Sequence, residues 1–190
     1  MKKKFSVYIN SKIKKFSAKV KIPGDKSCSI RALLFASQCI GESKIFNLLE
    51  STDCLDCLRA LRVLGVKILK RKKYYSVYGN GLNSFRIKKK ITRLYIGNSM
   101  TTGRLISGLC STIPSKFYLY GDVSANRRDF MRVIEPLERV GAQFHPRKKT
   151  LPLTMEGTSL PLAQKHIEAR GSSQVKGLIC LSALSTPGIT

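Results

Sequence analysis

The stretch D-C-L-D-C-L-R-A-L-R-V-L-G, Asp53 to Gly65, reads as an amphipathic helix: Leu55, Leu58, Leu61 and Leu64 recur at helical spacing, and a glycine ends the run. Val66-Lys67-Ile68-Leu69, which follows, has the composition of a strand. The stretch D-F-M-R-V-I-E-P-L-E-R-V-G, Asp129 to Gly141, repeats the pattern with Phe130, Val133, Ile134, Leu137 and Val140, and strand-like Ala142-Gln143-Phe144 comes after it. From Asp53 to Asp129, from Leu64 to Val140 and from Gly65 to Gly141 the offset is 76 in each case. A fixed internal period means that one structural unit is used more than once.

Ahead of each of these helices lies another, introduced by small hydroxyl or amide residues. Lys26-Ser27-Cys28-Ser29 precedes Arg31 to Leu34, and Gly97-Asn98-Ser99 precedes Thr101 to Leu109. A third such start, Gly171-Ser172-Ser173-Gln174, opens the apolar run Val175 to Leu184. Basic residues Arg31, Arg104 and Lys176 recur at offsets of 73 and 72. Short strand candidates lie between the helices, at Lys19 to Ile22, Ser43 to Phe46, Tyr74 to Tyr78, Leu94 to Ile96, Phe117 to Tyr120 and Leu151 to Met155. Each unit therefore reads strand, helix, strand, helix, strand, strand, an α/β (α+β) chain of repeated βαβαββ units. The expected units are about 21–90 and 91–160, with an incomplete third at 161–190 that stops soon after its first helix.

The composition fits a packed fold: 190 residues, 43% hydrophobic, 14 Gly and 7 Pro. Of the six cysteines, four sit in apolar runs that read as buried helix faces, so thiol packing is expected rather than disulfides. Cys54 and Cys57 form a C-x-x-C pair, but no second pair follows and His145 and His166 lack ligand spacing, so no metal is expected. Met1 to Asn10 is basic without an apolar stretch behind it, and no run of 18 apolar residues occurs; a soluble, cytoplasmic protein with no membrane partner is expected.

Thirty-five Lys+Arg against 11 Asp+Glu give a net charge of +24, which makes nucleic acid or another polyanion an alternative partner. The charge is scattered at Lys2 to Lys4, Lys12 to Lys15, Lys70 to Lys73, Lys88 to Lys90 and Arg147 to Lys149, and no strand reads as aromatic-rich in the RNA-binding manner. A lysine-biased solvated surface is the reading this pattern favours.

Ser27, Ser99 and Ser173 each lie where a helix begins, where a hydroxyl, free N–H groups and the positive end of the helix dipole together suit an anion. A plain N-cap needs no ligand, but three starts with a basic side chain nearby point to anion binding. In Pro23-Gly24-Asp25-Lys26-Ser27 a turn leaves Lys26 and Ser27 at a helix start, with the planar fork of Arg31 about a turn on. Neither the P-loop nor the dinucleotide fingerprint occurs, so no nucleotide cofactor is supported.

From about Lys19 to Thr190 the sequence resembles the enolpyruvyl transferases, specifically the 5-enolpyruvylshikimate-3-phosphate synthases. Four ordered motifs carry the resemblance: P-G-D-K-S-x-S-x-R at Pro23 to Arg31, G-N-S-x-T-T at Gly97 to Thr102, G-D followed by Arg128 and Arg132, and S-S-Q-V-K at Ser172 to Lys176. It implies an inside-out α/β barrel domain at 21–190, with residues 1–20 belonging to a second domain that these residues do not include. It also implies transfer of an enolpyruvyl group from phosphoenolpyruvate to shikimate 3-phosphate, without metal or cofactor. Lys26, Ser27, Arg31, Ser172, Ser173 and Gln174 would contact shikimate 3-phosphate. Phosphoenolpyruvate would meet Lys26, Asn98, Met100, Thr101, Arg128 and Gln174. Of these only Lys26 has a possible catalytic part, since the family's acid and base lie in its second half; the resemblance implies a partial version that is inactive by itself, with a separate chain as one possible source of the acid and base. Departures from the pattern are Ile30 for a His, Met100 for a Gly, Gly103 for a larger residue and Asp129-Phe130 for Pro-Met.

Overall fold

The computed structural model describes residues 6–12, 15–167 and 171–190, so the Lys2 to Lys4 cluster lies outside the described residues. The elements in chain order are α1 (Lys26–Gln38), β1 (Ile40–Phe46), α2 (Thr52–Val63), β2 (Lys67–Lys70), β3 (Tyr74–Asn80), β4 (Ile91–Tyr95), α3 (Met100–Cys110), β5 (Lys116–Tyr120), α4 (Val123–Asn126), α5 (Met131–Val140), β6 (Gln143–His145), β7 (Leu153–Glu156) and α6 (Ser173–Ala183).

The repeat is visible in hydrogen bonds. At the end of α2, Gly65 has φ +87°, its N–H reaches Arg62 O and the next N–H, Val66, reaches Leu61 O. At the end of α5, Gly141 has φ +115°, its N–H reaches Glu138 O and Ala142 N–H reaches Leu137 O. Both are Schellman caps, in which glycine takes the left-handed conformation that other residues avoid, and every partner is shifted by the same 76 residues.

The sheets repeat as well. β5 runs antiparallel to β7, which pairs with β6, just as β1 runs antiparallel to β3, which pairs with β2. The second sheet has a fourth strand, β4, parallel to β5. The strand expected at Lys19 to Ile22 would be its counterpart, but residues 19–22 join no ladder: Val20 and Ile22 are 72% and 74% exposed. The alternation Lys19-Val20-Lys21-Ile22 offers one apolar face, and no layer lies beneath it to bury that face.

Helices pack on helices between the two sheets, α1 on α2 and α3, and α3 on α5 and α6. The inward residues of β4 and β5, Leu94, Phe117 and Leu119, are fully buried with Ile30, Leu61, Ile106 and Phe130 in one core. On the opposite faces Ile91, Arg93 and Tyr95 of β4 are exposed and Tyr118 and Tyr120 of β5 partly so. This is a mixed α/β architecture with helices inside and sheets outside.

Three sequence expectations change. The caps of the three related helices are Asp25, Ser99 and Ser172, whose side chains accept from the N–H three residues on, so Ser27 and Ser173 lie inside the first turn. Counted from those caps, Arg31, Arg104 and Lys176 are sixth, fifth and fourth, and therefore point about 100° apart in succession. Three cysteines rather than four are buried, namely Cys54, Cys57 and Cys110. Moreover, β5 carries Tyr118 and Tyr120 on its outer face beside Tyr95 of β4, an aromatic row that the sequence reading did not find.

Candidate substrate-binding site

β4 leads through Ile96-Gly97-Asn98 into α3. Gly97 has φ +57°, and a Cβ there would lie 1.9 Å from Oδ2 of the buried Asp56, so only glycine fits this turn. Ser99 then caps α3, its Oγ accepting from Thr102 N at 3.2 Å. The helix start, with its partial positive charge, opens onto a cavity of about 250 Å³ lined by Lys26, Asp53, Asn98, Met100, Thr101, Arg104, Arg128 and Gln174.

Three elements send cations to it. Lys26, at the start of α1, donates to Asp53 Oδ2 of α2 at 2.9 Å and stays half exposed. Arg128, just after α4, donates to Asn98 Oδ1 at 2.7 Å and to Ser124 Oγ at 3.3 Å. Asn98 in turn donates to Asp122 Oδ2 at 2.8 Å. Asp122 is the α4 cap, and the Ala125 N–H, followed by the Asn98 amide, holds its carboxyl below the usual carboxylate range. Asp122, Asn98 and Arg128 thus form a chain that aims the guanidinium.

Arg104 stands one turn into α3. Its Nη1 donates to Gln174 Oε1, while Gln174 Nε2 donates to Thr101 Oγ1 at 3.0 Å, so the amide ties the starts of α3 and α6 together. The Arg104 Nε is buried without a hydrogen-bond partner among the described residues. Burial first, then the charges of Arg132 and Arg128, lower the pKa of Arg104, while Asp129 opposes them. Against three cations the lining has, among the described residues, one carboxylate, Asp53, and it is already engaged with Lys26. An anion entering here gains charge-assisted hydrogen bonds and relieves cation repulsion.

Six of the ten expected site residues line this cavity: Lys26, Asn98, Met100, Thr101, Arg128 and Gln174. Ser27, Arg31, Ser172 and Ser173 do not. Arg31 is turned back to its own helix, donating to Ser27 O at 3.3 Å, and Ser172 is occupied as the α6 cap. Arg104 and Asp53 were missed as lining residues. The recurrence of basic residues had flagged Arg104, whereas nothing in the sequence links Asp53 to Lys26.

The departures from the family pattern have local accounts. Ile30 is fully buried in the helical core. Met100 is 5% exposed and takes up part of the cavity wall. The space beside Gly103 is filled, since a Cβ there would meet Ile96 Cδ1 at 2.5 Å and Phe130 Cε2 at 3.7 Å. Asp129 accepts from Met131 N at 2.7 Å just ahead of α5, whose cap position is Phe130 and which starts at Met131 rather than Asp129.

The sequence profile of EPSP synthase (3-phosphoshikimate 1-carboxyvinyltransferase) matches residues 10–190. The 3-phosphoshikimate 1-carboxyvinyltransferase of Parvibaculum lavamentivorans is 38% identical over 173 residues, and that of Lactococcus lactis subsp. lactis is 34% identical over 174. Each match covers 90% of this chain, which spans about two fifths of the length of these relatives, 38% and 40%. The structure of EPSP synthase from Acinetobacter baumannii superposes with a TM-score of 0.83 at 32% identity, covering 90% of this chain and 39% of that one. With the repeat, the inward helices and the cation-lined cavity already described, these likenesses establish that the chain belongs to the EPSP synthase family.

Proposed function

We propose that this chain serves the transfer of the enolpyruvyl (carboxyvinyl) group of phosphoenolpyruvate to shikimate 3-phosphate, a step of chorismate and aromatic amino acid biosynthesis, by binding the two anionic substrates. The observation that carries the reading is the convergence of Lys26, Arg104 and Arg128 on the start of α3, with one engaged carboxylate among them. Two polyanions repel each other, and a cluster of fixed cations offsets that repulsion and holds the reacting atoms close. In this reading phosphoenolpyruvate lies against Asn98, the backbone at Met100 and Thr101, Arg128, Gln174 and Lys26. Shikimate 3-phosphate lies toward Lys26, Ser27, Ser172, Ser173 and Gln174, with Arg31 joining once it leaves Ser27 O.

Residues 21–190 act as one domain. Residues 1–20 belong against a second one, a reading supported by the exposure of Val7, Tyr8, Ile9 and Phe16, each above 70%. The acid and base of the reaction come from that second domain, supplied as a separate chain or otherwise, and the setting is the cytoplasm.

Calorimetry tests the reading directly. Phosphoenolpyruvate should bind the 190 residues alone. Arg128→Ala should weaken it about ten- to hundredfold, the ~1.5–3 kcal/mol of a hydrogen bond to a charged group, with unfolding unchanged. Product formed from both substrates by the 190 residues alone would contradict the division of labour, and unaltered binding in Arg128→Ala would contradict the site.

A further inference from the structure

The outer face of the four-stranded sheet carries an aromatic row with a cation laid across it. The parallel register sets Arg93 beside Tyr118 and Tyr95 beside Tyr120. Tyr95 and Tyr120 have ring centroids 5.2 Å apart, and Tyr118 and Tyr120 5.5 Å apart. The Arg93 guanidinium lies 5.0 Å from the Tyr118 ring centre and 5.6 Å from that of Tyr120. Strand alternation separates this row from the substrate cavity: Leu94, Phe117 and Leu119 point into the core, whereas Arg93 and Tyr95 are exposed and the other two rings partly so.

The first sheet repeats the device, with Lys44 over Tyr74 and Lys67 over Tyr78. Directly before β4 runs the exposed triplet Lys88-Lys89-Lys90, in a chain of net charge +24. One cross-strand aromatic pair is accounted for by sheet stability. A planar cation and three tyrosines on one sheet face, with lysines in the segment that leads into β4, form instead the combination that holds single-stranded nucleic acid: bases stack on rings or guanidinium planes while the lysines neutralise phosphates.

We propose that the face formed by Arg93, Tyr95, Tyr118 and Tyr120 is a stacking platform for single-stranded nucleic acid. A duplex hides its base faces and engages only the lysines, so the strand, and not polyanionic charge alone, is the ligand. The site is independent of the substrate cavity, and either assignment stands or falls without the other.

The test is fluorescence anisotropy of a labelled single-stranded DNA oligonucleotide with the full chain at about 150 mM salt, where bare charge attraction is largely screened. Because the chain has no tryptophan and three of its seven tyrosines are in this row, tyrosine emission is the signal that stacking there would quench. The expected results are preference for single strand over the matching duplex and over heparin, quenching of tyrosine emission, and no displacement by shikimate 3-phosphate. Tyr118→Leu and Tyr120→Leu should each weaken binding by about fivefold or more. Arg93→Lys keeps the charge and should still weaken binding. Lys88→Gln with Lys89→Gln should reduce the salt dependence without changing the quenching. Equal affinity for duplex and single strand, absence of quenching, or displacement by shikimate 3-phosphate would each overturn the proposal. The quenching of the unaltered protein decides the matter even if a leucine variant fails to fold.

Discussion

Gly108→Ala joins the packing of two helices to the chemistry of the cavity. α3 and α6 run parallel, with Arg104 beside Gln174, Gly108 beside Leu178 and Ser111 bonded to Ser182 at 3.0 Å. A Cβ on Gly108 would stand 2.3 Å from Leu178 O, whereas a carbon–oxygen contact needs about 3.3 Å. A carbonyl in the middle of a helix has no freedom to turn aside, so α6 must retreat by about 1 Å, and a gap of that size forfeits up to about half of each contact it opens. Alanine gains ~1 kcal/mol of helix propensity over glycine. Overpacking of ~1–3 kcal/mol and the loosened contacts of Val175, Leu178 and Leu181 outweigh it, for a net loss of about 2 kcal/mol. The same retreat draws Gln174 away from Arg104 and Thr101, so phosphoenolpyruvate affinity should fall about tenfold, equivalent to ~1.4 kcal/mol.

Gly103→Ala is the control, in the same helix and with the same propensity gain. Its Cβ meets the flexible tip of Ile96, so stability should change by less than about 0.5 kcal/mol. Urea unfolding and calorimetry of both variants decide the point. Equal stability of the two variants, or full affinity in Gly108→Ala, would refute the argument.

Three further outcomes follow from the site and its surroundings. Met100→Gly removes a buried side chain from the cavity wall and should raise phosphoenolpyruvate affinity severalfold in calorimetry; unchanged or weaker binding would mean that Met100 does not obstruct the ligand. Asp122 has a folded pKa below its ordinary 3.8, so its contribution is fully present above pH 3.8 and is lost as pH falls through the folded value. The melting-temperature gap between the unaltered chain and Asp122→Asn should therefore stay constant from about pH 5 upward and close only in stronger acid, and closure between pH 5 and 7 would contradict it. Cys28, Cys39 and Cys180 should react with a thiol reagent in the folded protein. Cys54, Cys57 and Cys110 should react only on unfolding, since burial pushes Cys57 up to about 12 and raises Cys110 as well; a fourth reactive thiol in the native state would count against this packing.

The parts of the fold legible in the sequence were those that local chemistry dictates. The leucine period of Asp53 to Leu64 and the glycine after it encode a helix and its cap within a dozen residues, and the same signal 76 residues later is the same structure. The helix starts were legible for the same reason, although hydroxyl-rich runs do not say which residue is the cap: Asp25 outcompetes Ser27 because its carboxylate reaches the Cys28 N–H at 2.7 Å.

Whatever depends on a partner distant in sequence was not legible. Lys19 to Ile22 has strand composition, but a strand is made by its neighbour, and none of the described residues pairs with it. The contact of Lys26 with Asp53 spans 27 positions, and that of Arg104 with Gln174 spans 70. The residues that depart from the family pattern fall on both sides of this line. Read singly, Gly103 and Phe130 are a deficit and an excess of volume; in space Phe130 is fully buried with a ring carbon 3.7 Å from where the Gly103 Cβ would be, an ordinary contact, and the tip of Ile96 fills the rest of that space. Met100 is the departure that lines the cavity itself, which makes it the substitution whose reversal bears most directly on binding.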